Sequence, residues 1–246
     1  MTKELKKRIF TSLLLFLLLL AMYFYSYIMI TSLVIIAIII WIEFYALISK
    51  ILIENKLKNK LFRFLLKAIS LLYLSLLVYY ILAINFYYKD LELYLLYSFF
   101  VAILSDIGGL VVGKTFKGKK LTKISPNKTI SGSIGSFLFS LFLIPLFYNE
   151  LFNNNIIGLI LITILISLTS QLGDLFVSYI KRKANVKNTS NLLPGHGGFL
   201  DRVDGIIFAI PIGLILFNLP NTRQILHDKS KLNSGGGVST TTPLKS

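Results

Sequence analysis

Three aspartates in the C-terminal half of the chain have the spacing and chemistry to hold a cation. Asp201 and Asp204 lie three residues apart at the start of an apolar run, so their carboxylates share one face if the segment is helical. Asp174 interrupts an earlier apolar stretch, in the motif "LGD". Together they are an oxygen-rich set suited to Mg²⁺, which also binds substrate phosphates. Capping is the competing explanation for Asp201 or Asp204, because a helix N-terminus favours carboxylates.

Glycines and a histidine precede the last two aspartates, in "LLPGHGGFLDRVDG" at residues 192–205. Glycines such as Gly197 and Gly198 let the backbone approach a ligand closely. His196 has no second histidine or any cysteine near it in the sequence. We therefore predict that it contacts a phosphate or makes a structural hydrogen bond rather than ligating a metal.

A lysine-rich segment at residues 113–135 carries six lysines and no carboxylate. Its hydroxyl and backbone N–H groups can bind phosphate oxygens, and "SPNKT" precedes a helix N-terminus, which favours anions. The lysines are equally explained as the marker of a cytoplasmic loop. Asp106 lies just upstream near the end of a span, where an unpaired carboxylate is costly, and this predicts a functional role.

The motif "SQLGDLFVSYIKRK" at residues 170–183 begins inside an apolar helix. Asp174, Ser178 and Arg182 recur every four residues and can share one helix face. The alternative is an internal salt bridge between Asp174 and a basic residue of a neighbouring span. The cationic loops, glycine turns and aspartates together predict Mg²⁺-dependent chemistry on a phosphate-bearing substrate at one membrane face.

The elements that must position these motifs are predicted to be membrane spans. Of the 246 residues, 55% are hydrophobic and 15% are charged. We predict an all-α polytopic membrane protein, a bundle of about seven transmembrane helices, or up to nine if the apolar runs are divided differently. The predicted segments are roughly 9–25, 27–49, 64–85, 91–112, 134–148, 156–177 and 205–219.

Charge predicts the orientation of these spans. The net charge is +15, and basic residues concentrate at the N-terminus and in alternate loops, near 50–63, 113–130 and 178–204. An odd number of spans puts all of them on the cytoplasmic side, which explains the charge without nucleic acid. The start resembles a signal peptide but has no small-residue cleavage site. We therefore predict a protein of the bacterial inner membrane with the N-terminus and active site cytoplasmic.

The predicted organisation has three parts: N-terminal transmembrane helices at 1–90, a catalytic transmembrane domain with cytoplasmic loops at 91–220, and a disordered tail at 221–246. The tail has no apolar periodicity and is rich in small polar residues. There is no cysteine, which excludes disulfides and thiolate metal sites.

Residues 178–204, "SYIKRKANVKNTSNLLPGHGGFLDRVD", closely resemble the signature of the phosphatidate cytidylyltransferases, also called CDP-diacylglycerol synthases. "LGD" and "SPNKT" are also similar, and the likeness covers the C-terminal half of the chain. Asn188 departs from it, since the family usually has Asp there, and the segment after Asp106 lacks a common aromatic residue. The matching residues are Ser178, Lys181, Arg182, Lys187, Pro194, His196, Gly197, Gly198, Asp201, Arg202 and Asp204.

The resemblance implies transfer of the cytidylyl group of CTP to phosphatidate, giving CDP-diacylglycerol and pyrophosphate for phospholipid biosynthesis. It implies Mg²⁺, with a second cation as a further expectation, on Asp174, Asp201 and Asp204. The catalytic residues would be Asp174, Lys181, Arg182, Lys187, His196, Asp201, Arg202 and Asp204. The substrate-binding residues would be Asp106, Ser125, Lys128, Thr129, Ser178, Gly197 and Gly198.

Other functions fit parts of the pattern. The expected partners are CTP, phosphatidate and membrane lipid, with no nucleic acid, and the assembly could be a homodimer. A CTP transferase acting on another lipid phosphate would have a similar polar motif. A transporter of an anionic solute would also use intramembrane carboxylates, but here the polar groups cluster at one face and no inverted repeat is visible. A structural scaffold gives no reason for Asp174 inside a span.

Overall fold

The computed structural model describes residues 3–52, 57–122, 125, 128–151 and 156–218. Within these ranges there are helices and two isolated bridges but no strand, which confirms the predicted all-α class. The predicted tail lies outside the described residues. The helices are α1 (Lys3–Phe24), α2 (Ser26–Ile51), α3 (Leu57–Tyr87), α4 (Glu92–Phe116), α5 (Ile130–Leu141), α6 (Ile144–Leu151), α7 (Ile156–Lys183), α8 (Leu200–Val203) and α9 (Ile206–Phe217), with a 3₁₀ turn at Lys89–Leu91.

In the described part of the chain, five helices are long and apolar enough to cross a membrane: α1, α2, α3, α4 and α7. Their outer surfaces carry large apolar side chains, such as Phe10 at 67% and Phe16 at 58% exposed. Such surfaces are unfavourable in water and match a hydrocarbon environment. The chain is therefore a polytopic integral membrane protein, as predicted.

The predicted span at 134–148 is broken into α5 and α6, which bend by 47° relative to one another and add a sixth crossing if they count as one span. Pro145 explains the break, because proline has no N–H for the helical hydrogen bond and its ring clashes with the preceding turn. The segment therefore does not form the single straight helix expected from its apolar run.

The predicted last span, 205–219, is shorter than expected. α9 has 12 residues, which is about 18 Å of helix against roughly 30 Å of hydrocarbon. A separate four-residue helix, α8, precedes it, and Asp204 and Gly205 between the two helices keep right-handed helical dihedral angles. By length and composition, the described residues thus contain five or six spanning elements rather than the predicted seven or more.

Two apolar clusters hold the bundle together, and α7 contributes to both. One joins α7 to α4 and α9 around Tyr97 and Leu214. The other joins α7 to α2, α3 and α8 around Leu47 and Leu200. The C-terminal part of α7 therefore lies against helices from before and after residue 90, and the predicted division at that residue stays a prediction.

Glycines let α4 and α5 pack with their backbones in contact. A Cβ atom on Gly132 would lie 2.8 Å from the carbonyl oxygen of Gly109, and one on Gly109 would lie 2.7 Å from Ser136 Oγ. Only glycine allows this approach. It brings the start of α5, just after Thr129, against the C-terminal half of α4.

Buried hydroxyl groups fix α4 on α7. The Tyr97 and Thr163 hydroxyls are 2.6 Å apart, and those of Ser105 and Ser167 are 2.9 Å apart. Buried polar groups of this kind lose stability unless they stay paired, so they set the register of the two helices. Asp106 is thereby held at the same end of the bundle as Asp174.

Candidate active site

The polar motifs converge where α7 ends. Asn185 adopts a left-handed conformation, with φ of 54°, and terminates the helix. The backbone N–H groups of Asn185 and Val186 donate to the carbonyls of Arg182 and Lys181. The chain then forms the 186–199 loop, which returns Asp201 and Asp204 to the side of α7.

Asp174 forms an ion pair with Lys128 at the start of α5. Ser178 donates a hydrogen bond to Asp174 over 3.3 Å, as expected for residues one helical turn apart. The salt bridge to a neighbouring element, the alternative considered for Asp174, is thus present, and it links two of the predicted site residues. Arg182 continues the same helix but is exposed.

Thr129 caps α5, because its side chain accepts a hydrogen bond from the backbone N–H of Gly132 over 3.0 Å. The predicted helix start after "SPNKT" is confirmed. Lys128 N donates to the carbonyl of Ser125 over 3.0 Å, which closes a turn just before the helix. The N-terminus of α5 and the Lys128 ammonium therefore lie together beside Asp174.

Asp201 faces Lys181 and the loop. Its Oδ1 lies 2.7 Å from Lys181 Nζ, and its Oδ2 accepts hydrogen bonds from the backbone N–H groups of Thr189 and Gly198 over 2.9 and 3.0 Å. Burial alone would raise the pKa of Asp201, but these hydrogen bonds and the Lys181 charge hold it below its ordinary value. Both carboxylate oxygens are already used by protein donors.

Asp204 has a different environment. It is 7% exposed, and its Oδ1 accepts from the N–H of Gly205 over 3.0 Å. Burial, followed by the neighbouring Asp174 carboxylate, raises the pKa of Asp204 to about 8. Asp106 also interacts electrostatically with both of these aspartates. The structure therefore groups Asp204 and Asp174 with Asp106, and turns Asp201 towards Lys181.

The metal role predicted for Asp174, Asp201 and Asp204 stays a prediction. Among the described residues, no set of three or more His, Asp and Glu side chains has the geometry to enclose a metal ion. The donor chemistry of Asp106, Asp174 and Asp204 still suits a hard cation, since all three supply carboxylate oxygens. A cation there would relieve the repulsion that raises the pKa of Asp204.

A cavity of about 770 Å³ lies beside the 186–199 loop. Two of the predicted site cations, Lys187 and Arg202, line it together with His196, Gly197 and Asn188. The remaining lining residues are Lys7, Arg8, Asn191, Leu193, Pro194 and Gly195. The cavity thus carries four cationic side chains, which suits a phosphate-bearing ligand.

The N-terminus of α1 reaches this cavity, which the sequence did not indicate. The Thr11 hydroxyl donates to the carbonyl of Pro194 over 3.0 Å, and Ser12 Oγ lies 3.3 Å from His196 Nε2. Lys7 and Arg8 consequently line the cavity. Their only sequence signal is the basic run before the first apolar stretch, which is also what the positive-inside rule requires.

The 186–199 loop is shaped by glycines with left-handed backbones. Gly195 and Gly197 have φ values of 78° and 88°, which other residues adopt only with strain. A Cβ atom on Gly197 would also lie 2.8 Å from Asp201 Oδ2. The carbonyl of His196 accepts a hydrogen bond from Arg202 over 2.8 Å, while His196 Nδ1 is buried and has no hydrogen-bond partner in the described part of the structure. The backbone carbonyl of His196 thus makes a structural hydrogen bond, while its side chain keeps one buried nitrogen without a partner among the described residues.

Glu43 of α2 is another residue near the site that was not predicted from the sequence. Its carboxylate is buried and accepts hydrogen bonds from both ends of the 186–199 loop and from the start of α8. A single carboxylate within the apolar run "IIIWIEFYAL" was the available signal.

A model of the family described as "Cytidylyltransferase family" matches residues 1–219 of the chain. A phosphatidate cytidylyltransferase of Staphylococcus haemolyticus is 46% identical over 126 residues, 50% of this chain and 48% of the relative. A protein of the same name from Rickettsia bellii is 48% identical over 115 residues, 44% of this chain and 50% of the relative. One from Rickettsia felis is 42% identical over 133 residues, 50% of this chain and 59% of the relative. The chain thus spans about half the length of the first two of these relatives.

Proposed function

The chain belongs to the cytidylyltransferase family, and from this premise we propose that it transfers the cytidylyl group of CTP to phosphatidate. The products are CDP-diacylglycerol and pyrophosphate. The relatives are phosphatidate cytidylyltransferases by name, which supports this choice of substrates. The observation that carries the proposal is the cationic cavity, whose lining residues Lys187 and Arg202 belong to the segment that resembles the family signature.

The reaction needs no activated side-chain nucleophile. A phosphate oxygen of phosphatidate attacks the α-phosphorus of CTP and forms a new P–O bond. The bond from that phosphorus to the bridging oxygen of the β-phosphate breaks, and pyrophosphate leaves with the electron pair. The main obstacle is repulsion between two polyanions, so the protein must bring cationic groups to them and orient the reacting atoms.

We place the CTP phosphates in the cavity lined by Lys7, Arg8, Lys187 and Arg202. Its volume of about 770 Å³ is suitable for a nucleotide, and its four cations offset the charge of a triphosphate. Asn188 also lines the cavity. Its amide can still accept and donate hydrogen bonds there, although it lacks the charge of the Asp that the family usually has.

We further propose that Asp174 and Asp204, with Asp106 beside them, hold Mg²⁺. When bound, Mg²⁺ neutralises phosphate oxygens and makes the phosphorus more electrophilic. The repulsion between Asp174 and Asp204 supports this assignment. Asp201 would instead orient Lys181, because its carboxylate pairs with that ammonium and is held by the backbone N–H groups of Thr189 and Gly198. Lys181 would then add a positive charge beside the Asp201 and Asp204 carboxylates.

The site would face the cytoplasm of a bacterial cell, at the inner membrane. This is supported by the basic residues at the α1 N-terminus, before α5 and after α7, which lie at the site end of the bundle. CTP would then enter from the cytosol and phosphatidate from the lipid.

A substrate panel tests the proposal. The purified full chain should form CDP-diacylglycerol and an equal amount of pyrophosphate from CTP and a diacyl phosphatidate, and chelation of Mg²⁺ should abolish the reaction. An isoprenyl phosphate and a lysophosphatidate serve as competing acceptors. Turnover of an isoprenyl phosphate without turnover of phosphatidate would overturn the assigned acceptor.

A further inference from the structure

Glu43 is a buried carboxylate inside α2, and it is 4% exposed. Its Oε2 accepts hydrogen bonds from the Thr189 hydroxyl and the Leu200 N–H, both over 2.8 Å. Its Oε1 accepts from the Ser190 hydroxyl over 2.6 Å and the Phe199 N–H over 3.1 Å. A carboxylate in an apolar helix is costly unless such donors compensate for the lost water.

These four donors come from opposite ends of one loop segment. Thr189 and Ser190 begin it, and Phe199 and Leu200 end it, so one side chain of α2 ties both ends together. The Gly195–Gly197 turn and His196, which line the cavity, lie between the two anchored ends.

Thr189 connects Glu43 to the pair of Lys181 and Asp201. The Thr189 hydroxyl, which donates to Glu43, lies 3.1 Å from Asp201 Oδ2, and the Thr189 N–H donates to that oxygen over 2.9 Å. Leu200 precedes Asp201 in the chain. Glu43 itself is not among the residues that line the cavity, so any effect on a bound substrate must pass through the loop.

Gly198 completes the anchor. A Cβ atom there would lie 2.5 Å from each carboxylate oxygen of Glu43. This contact explains a glycine at residue 198 without invoking a substrate, because a side chain would push the loop off α2.

We propose that Glu43 is a positioning residue: its carboxylate fixes the 189–200 segment on α2 and thereby holds Asp201, Lys181 and His196 in the arrangement that catalyses cytidylyl transfer. The catalytic part of this inference rests on the proposed function. Only a carboxylate can accept all four hydrogen bonds, since an amide would turn its NH₂ group towards two of the donors.

The test compares full-length Glu43→Gln with wild type by hydrogen–deuterium exchange and by kinetics. Peptides covering 189–200 should exchange faster in the variant, while α4 peptides stay unchanged. The value of kcat/KM should fall about 100-fold, the effect of displacing a catalytic group by about 1 Å. Ser98→Ala is the matched control, because it removes one buried hydrogen bond, from the Ser98 hydroxyl to the carbonyl of Tyr94 within α4; its loop exchange and kcat/KM should stay near wild type.

Ser190→Ala, which removes one of the four donors, keeps the inference testable if Glu43→Gln does not fold. It should raise exchange only in the loop, and its effect should shrink in the Glu43→Gln background wherever that variant folds. Wild-type loop exchange in both variants, or an equal loss of kcat/KM in Ser98→Ala, would overturn the inference. If wild type itself transferred no cytidylyl group, the proposed function would fail, while the exchange data would still decide whether Glu43 anchors the loop.

Discussion

Asp201 and Asp204 are three residues apart, yet the structure gives them opposite electrostatic environments. Protein donors and Lys181 hold the pKa of Asp201 below its ordinary value, whereas burial and Asp174 raise that of Asp204. Neighbouring carboxylates whose environments separate their pKa values commonly have separate roles. We therefore assign Asp201 to the positioning of Lys181 and Asp204 to the proposed cation site.

Replacing Asp204 with Asn should lower kcat by at least about 100-fold, because the variant loses an anionic ligand of the proposed cation. Initial rates over a range of Mg²⁺ concentrations measure the effect. Asp90→Asn, on the exposed 3₁₀ turn between α3 and α4, is the control for the same chemical change and should keep wild-type rates. Unchanged rates and Mg²⁺ dependence in Asp204→Asn would refute its role in binding the cation.

Lys181 and Asp201 should act as one unit. Lys181→Met and Asp201→Asn should each lower kcat/KM by roughly 10- to 100-fold, and the double variant should lose little more than the worse single one. A double-mutant cycle on purified proteins measures this coupling. Additive losses would show that the two residues act independently.

At the scale of elements, α1 is more than a membrane span. Its contacts through Thr11 and Ser12 bring a basic helix end against the Pro194–His196 turn. The cationic cavity is therefore built from the start of α1 together with the 186–199 loop and Arg202. Removal of the α1 charges should weaken nucleotide binding and leave the rate of the chemical step unchanged.

Lys7→Ala and Arg8→Ala should each raise the KM for CTP several-fold and leave kcat near wild type, because uniform binding affects KM alone. Lys6→Ala removes the same charge from the same helical turn but does not alter a cavity-lining residue. Steady-state kinetics with varied CTP distinguish the variants. An equal change in KM for Lys6→Ala would show that general surface charge, and not the cavity, is responsible.

The sequence predicted the elements better than their contacts. Apolar run lengths identified the long helices, and the "SPNKT" segment indicated a helix N-terminus close to the start of α5. The sequence around Glu43 and Lys7 does not indicate that they lie near residues around 190, because such contacts depend on how distant helices pack. The bend at Pro145 was missed since hydropathy does not register backbone breaks. The type and spacing of Asp201 do not reveal the donors that surround it, and its predicted role as a metal ligand stays a prediction.

At the scale of the whole molecule, the bundle collects its polar groups at one end and leaves the rest apolar. This asymmetry fits an enzyme that joins a lipid to a water-soluble nucleotide at the membrane surface. The proposed orientation can be tested with introduced single cysteines, because the chain contains no cysteine of its own.

Single cysteines should report the two sides of the membrane. Lys120→Cys lies in the α4–α5 connection and Lys89→Cys lies between α3 and α4. In intact cells, a membrane-impermeant maleimide should label Lys89→Cys, and should label Lys120→Cys only after permeabilisation. The reverse pattern would contradict the cytoplasmic placement of the site.

The central claim is transfer of a cytidylyl group, and the fate of a labelled phosphorus tests it most directly. Purified full-length protein with phosphatidate and Mg²⁺ should move label from the α-phosphorus of CTP into a CDP-lipid, while label at the γ-phosphorus should appear only in pyrophosphate. Absence of α-label from the lipid, or transfer of γ-label to it, would contradict the account.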